Sequence, residues 1–148
     1  PDLVSEMVEI CKDEMEHFDM VHKKILERGF TMGFERKDPY VKDLSSYLKQ
    51  NHNNSSRESH FVNQMLFSAM IEARSCERFK ILSEQLKDED LKKFYRMLMK
   101  SEARHFMTFL KFAKKYSSSI DVDERWKIFL AFEAGLMKKY GKEQTMHG

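Results

Sequence analysis

Two copies of one short pattern, Glu14-Met-Glu-His17 and Glu102-Ala-Arg-His105, put a carboxylate and an imidazole three residues apart on stretches otherwise apolar along that side. A third stretch carries a lone Glu72 at the same phase as its apolar residues. Burying an unpaired carboxylate costs several kcal/mol, so a chain that aims three of them and two imidazoles at a core needs a shared cation there. A pair of metal ions is the natural candidate.

The stretches carrying these residues read as long helices. Asp2 is positioned to cap the first, whose inward stripe is Leu3, Met7, Ile10, Glu14, His17, Val21 and Ile25, ending at Gly29. Gly29 to Ser56 forms a long connection that includes a short helix, signalled by Asp38 as cap and Pro39 in its first turn. Asn51 to Ser56 closes that connection as a polar loop. A second long helix runs from Arg57 to Leu86 with the stripe Phe61, Met65, Ser68, Glu72, Ser75, Phe79, Leu82 and Leu86. Asp88 caps a third, Glu89 to Tyr116, whose seam is Leu91, Phe94, Leu98, Glu102, His105, Phe109 and Phe112. Ser117 to Ser119 interrupt the chain. Asp121 or Asp123 then starts a last helix to Tyr140, with Ile128, Phe129, Phe132 and Leu136 inward and Gly141 as its stop.

Each proposed ligand lies near the midpoint of its helix, and antiparallel helices of similar length bring their midpoints to one level. Glu-x-x-His on two helices, single Glu residues on others and one long crossover are the marks of di-iron and di-manganese ferritin-like bundles. The expected fold is therefore all-α. It is a ferritin-like antiparallel helical bundle with one long crossover and an extra carboxy-terminal helix, in one domain over residues 1–148.

Composition agrees. Only 5 Gly and 2 Pro interrupt 148 residues, and both Pro fall outside the periodic stretches. Charged residues at 34% beside 41% hydrophobic suit helices with solvated outer faces. No apolar run approaches the roughly 20 residues of a membrane span, and no signal peptide opens the chain, so a cytoplasmic protein without membrane contact is expected. Cys11 and Cys76 lack framework spacing and read as free thiols filling the core. A net charge of +2 does not by itself announce a nucleic-acid partner. Basic clusters at Lys23, Lys24 and Arg28, at Arg36 and Lys37, at Lys92, Lys93, Arg96 and Lys100, and at Lys111, Lys114 and Lys115 read first as the wet face of charged helices.

A chance Glu-x-x-His is weak as a motif. The weight comes from both copies falling mid-helix in phase with the buried stripe, with Glu72 doing the same independently. The competing reading is a plain bundle in which Glu and His pair with Arg74, Arg78 and Arg104 as a buried ionic network. By helical phase these arginines lie off the seam, as partners behind the ligands or as phosphate contacts. The hard carboxylates with one imidazole per ion suit Fe(II) or Mn(II). No Gly-rich strand-to-helix fingerprint for flavin or nicotinamide occurs, so electrons must come from an external donor.

At Ile71-Glu-Ala-Arg-Ser-Cys-Glu-Arg-Phe79, Ser101-Glu-Ala-Arg-His-Phe106, Glu14-Met-Glu-His-Phe18 and Arg28-Gly29 the chain resembles the tRNA methylthio-isopentenyladenosine hydroxylases, the MiaE-type branch of the ferritin-like superfamily. The resemblance implies Glu14, His17, Glu72, Glu102 and His105 as ligands of two Fe2+ ions. It also implies O2-dependent hydroxylation of the isopentenyl group of a modified adenosine in tRNA, with an electron-transfer reductase as second partner. Members of that family begin with a further helix that supplies another Glu ligand. This sequence starts at Pro1, about where the next helix would begin, so a missing first helix is expected, with Glu133 on the last helix as a substitute carboxylate. The alternative function is a ferroxidase or iron-handling protein with no organic substrate.

Overall fold

A computed structural model describes residues 2–34, 37–50 and 56–140. Arg36 of one basic cluster, Asn51 to Ser55 of the polar loop and the expected stop at Gly141 lie outside the described residues. The fold is all-α, and among the described residues there is no strand. The helices are α1 (Asp2–Glu27), α2 (Pro39–Gln50), α3 (Arg57–Gln85), α4 (Glu89–Lys115) and α5 (Val122–Tyr140). No helix among the described residues is long and apolar enough to cross a membrane. The chain divides into two compact units, residues 1–37 and 38–148.

The first unit is built on α1. Asp2 is its first residue, and the Asp2 carboxylate accepts the Leu3 N–H at 3.1 Å. The helix ends where the sequence places its glycine. Gly29 adopts φ +74°, its N–H bonds the Leu26 carbonyl at 2.9 Å, and the Phe30 N–H bonds the Ile25 carbonyl at 3.1 Å. That pair of bonds is a Schellman cap, which needs a residue at positive φ and so favours glycine. Along the expected stripe Ile10 is buried and Leu3, Met7, His17 and Ile25 are half-buried, whereas Glu14 and Val21 are exposed.

The second unit begins with α2, where Asp38 caps as expected by accepting the Val41 N–H at 3.2 Å. Ser56 caps α3 by accepting from the Ser59 N–H. Asp88 caps α4 by accepting from Asp90 N at 2.9 Å and Leu91 N at 3.1 Å. Of the two candidate starts for α5, Asp121 is the cap, its carboxylate accepting the Glu124 N–H at 2.9 Å. Each cap satisfies an amide that the first helical turn leaves without an intrahelical partner.

The short link between α3 and α4 folds them back on one another as a helical hairpin, and this pair forms the main packing interface of the unit. α4 buries one seam, with Leu98, Glu102, His105, Phe109 and Phe112 all buried as expected. α3 is different because α2 and α5 also pack against it. Its buried set holds Met65, Ser75 and Phe79 of the expected stripe, and also Val62, Leu66, Ala69 and Met70 on other faces. α5 corrects an expectation. Ile128 is 48% exposed, and the buried seam is Val122, Phe129, Glu133, Leu136 and Tyr140. The cysteines depart too, since Cys11 is exposed and only Cys76 is partly buried.

Candidate metal centre

Within the second unit, α3 and α4 bring three of the expected ligands together. Glu72 comes from α3, and Glu102 and His105 come from α4, one helical turn apart on its buried seam. Each offers a ligand atom, and these atoms lie within 4.8 Å of one another. Glu102 and His105 are buried, 4% and 1% exposed, and Glu72 is partly buried with 13% of its side chain exposed. The Glu72 carboxylate sits 4.0 Å from His105 Nδ1. Donors about 2.0–2.2 Å from an ion stand at most roughly 4.4 Å apart around it, so this spread fits a metal centre after slight contraction, or two ions sharing the carboxylates. Two carboxylates and an imidazole form a hard, oxygen-rich donor set suited to iron or manganese.

In the first unit, Glu14 and His17 stand one turn apart on α1, with Glu14 Oε1 3.5 Å from His17 Nδ1. The two side chains differ in exposure, 13% for His17 and 47% for Glu14.

One turn along α3 from Glu72, the Cys76 thiol donates to the Met99 carbonyl at 3.6 Å, tying α3 to α4 beside the cluster. Burial first, and then the nearby Glu102 charge, raise its pKa and keep it a neutral thiol.

The residues expected behind the ligands divide. Glu133 is buried, and its carboxylate accepts from Arg74 Nε at 2.5 Å and from the Tyr40 hydroxyl at 3.4 Å. Arg74 also pairs with Glu77 one turn along α3. This ionic cluster links α2, α3 and α5, and within residues 38–148 its carboxylates are not among the gathered ligand atoms. Burial pulls the Arg74 pKa down, but the hydrogen bond and charge of Glu133, helped by Glu77, leave it raised. Tyr40 is fully buried, and burial followed by the Glu133 charge pushes its hydroxyl well above the usual tyrosine range. Arg78 is half-buried and Arg104 is exposed. The role of Tyr40 was not legible from its type alone. Its place on the α2 stripe with Leu44 and Leu48, all buried, was the available signal.

A family model described as tRNA-(MS[2]IO[6]A)-hydroxylase (MiaE) matches residues 1–148. The chain belongs to the MiaE family. Over 148 residues it is 34% identical to a tRNA 2-(methylsulfanyl)-N(6)-isopentenyladenosine(37) hydroxylase of Salmonella typhimurium, a match covering 98% of this chain and 51% of that protein. Over 146 residues it is 31% identical to a protein of the same name from Pseudomonas putida, covering 99% of this chain and 68% of that one. The chain thus spans about half the length of one MiaE relative and about two thirds of the other. No solved structure shows a significant match.

Proposed function

We propose that this chain carries the metal site of a non-haem di-iron monooxygenase that hydroxylates the isopentenyl group of methylthio-isopentenyladenosine in tRNA, acting in the cytoplasm. The observation that carries this reading is the largely buried Glu72, Glu102 and His105 cluster in a chain matched from end to end by the MiaE family model. The names of its relatives point the same way.

In this reading Glu14 and His17 join Glu72, Glu102 and His105 in one ferritin-like domain, as the second Glu-x-x-His of the ligand set. Bound there, two iron ions would supply the electrons and open coordination positions needed to activate O2 toward an unactivated C–H bond. Glu72 and Glu102 would offset the charge of the ions, and the imidazoles would complete a ligand set that leaves positions open. Burial of Glu102 and His105 keeps bulk water from the reacting group. The Tyr40–Glu133–Arg74 cluster fixes α2 and α5 against α3, holding the helix that presents Glu72. In this reading Arg104, which is exposed, and Arg78, which is half-buried, would contact tRNA phosphates. Reducing equivalents come from an external reductase.

Nucleoside mass spectrometry of tRNA from cells lacking the gene, and from the same cells with it restored, tests the substrate. The hydroxylated isopentenyl nucleoside should disappear and return. If it is unchanged, the substrate assignment fails.

A further inference from the structure

A cavity of about 390 Å³ lies in the second unit, lined by residues that include Tyr47 of α2, Ser59 and Asn63 of α3, and Arg125, Ile128 and Phe129 of α5. Its size is that of a small-ligand site. It is separate from the metal cluster. Asn63 and Glu72 are nine positions apart on α3, which places them about 13 Å apart along the axis and on opposite faces.

The polar groups of this pocket are biased toward donation. Arg125 Nη1 donates to Asn63 Oδ1 at 2.8 Å and to Ser59 Oγ at 3.3 Å. With its oxygen taken by the guanidinium, Asn63 presents an NH2 group, and Ser59 retains its O–H. The guanidinium has three further N–H donors on Nε and Nη2. Among the described residues no carboxylate lines the pocket. The acids at the start of α5 are engaged elsewhere, with Asp123 on Lys114 at 2.6 Å and Glu124 on Lys127 at 3.0 Å. Asn63 and Ser59 are 2% and 9% exposed, so these donors are held in place by packing. The remaining wall is apolar, formed by Tyr47 and Phe129 with Leu48 and Ile128. Tyr47 stacks on Phe132 with centroids 3.9 Å apart and meets Phe129 edge-on.

A fixed cationic donor cluster beside aromatic rings suits an anion carried on a planar body. Bidentate guanidinium contacts and aromatic faces are how proteins hold phosphate and base together. We propose that this pocket binds one nucleotide of the RNA substrate, its phosphate on Arg125, Asn63 and Ser59 and its base against Tyr47 and Phe129. This rests on the tRNA-hydroxylase reading and extends it. The pocket anchors a part of the RNA remote from the reacting base, on the other face of the helix that presents Glu72.

The test is fluorescence anisotropy of a labelled anticodon stem-loop RNA on the full-length protein across a KCl series, with hydroxylation measured across RNA concentrations. Asn63→Asp keeps the acceptor for Arg125 but adds negative charge. Ile128→Trp blocks the pocket from a half-exposed position that holds no polar contact, so it keeps the test decisive if Asn63→Asp fails to fold. Asn63→Asp should weaken binding about tenfold and lower the salt slope by about 0.7–0.9, the share of one phosphate. Ile128→Trp should also weaken binding, and both variants should raise the RNA concentration needed to saturate hydroxylation. Adenosine 5′-monophosphate should compete better than inorganic phosphate. Equal competition would overturn the nucleotide assignment in favour of a bare phosphate site. If the wild type binds the RNA and neither substitution weakens it, the pocket assignment is overturned and the hydroxylase reading stands. If the wild type binds no RNA, both fall.

Discussion

Removing Arg74 and removing Glu133 should not cost the same, although each breaks the same ion pair. Arg74→Met leaves the Glu133 carboxylate, whose side chain is 6% exposed, with the long 3.4 Å hydrogen bond from the Tyr40 hydroxyl in place of a cation. An uncompensated buried charge of this kind costs about 3–5 kcal/mol. Glu133→Gln leaves Arg74 22% exposed and still paired with Glu77, so its cost should be nearer 1–3 kcal/mol. The double variant Arg74→Met/Glu133→Leu removes both charges and should lie within about 1 kcal/mol of the wild type. For a chain of this size 1 kcal/mol moves Tm by roughly 2–4 °C, so Arg74→Met should melt some 6–20 °C lower. Urea unfolding of the wild type, Arg74→Met, Glu133→Leu and the double variant, followed by circular dichroism, yields the coupling, with Glu133→Gln measured beside them. If Glu133→Gln costs as much as Arg74→Met, or if the double variant equals the sum of the singles, the buried-pair account of this cluster is refuted.

Two further predictions are local. The Glu58 carboxylate accepts from the N–H groups of Ser118 and Ser119 and from the hydroxyls of Ser117, Ser118 and Ser119, and the two backbone bonds foremost lower its pKa to about 2. A carboxyl depressed on folding stabilises the folded state above its unfolded pKa and loses that effect as pH falls through the folded one. The stability difference between wild type and Glu58→Gln should therefore be full above about pH 5 and fade toward pH 2, as urea midpoints across that range would show. A difference that grows on acidification would contradict it. Asp88→Ala removes the acceptor for two amides at the start of α4 and should cost about 1 kcal/mol, visible as a lower urea midpoint at unchanged slope.

Much of this architecture can be read from residue order because its signals are local. The caps at Asp38, Ser56, Asp88 and Asp121 and the glycine stop at Gly29 act within a few residues of themselves. The α4 seam is legible because one main neighbour, α3, defines it. α3 is harder, since three helices pack on it and a single stripe misses Val62, Leu66, Ala69 and Met70. On α5, reading inward residues by apolarity favours Ile128, yet the true seam runs through Glu133. Glu133 is tolerated there because Arg74, 59 residues away, neutralises it, a long-range fact that helical phase does not carry. In the candidate metal site, the convergence of Glu72, Glu102 and His105 is legible because polar residues in phase with a buried stripe stand out. The Asn63–Arg125 pocket was not, because its members come from separate helices and each looks ordinary alone.

Anaerobic Fe(II) titration of the full-length protein, with bound iron counted per chain, tests the central claim most directly. The account predicts two irons per chain, lost in Glu102→Ala while the helical circular dichroism signal is retained. Wild-type iron content in Glu102→Ala, or no stoichiometric iron in the wild type, would contradict it.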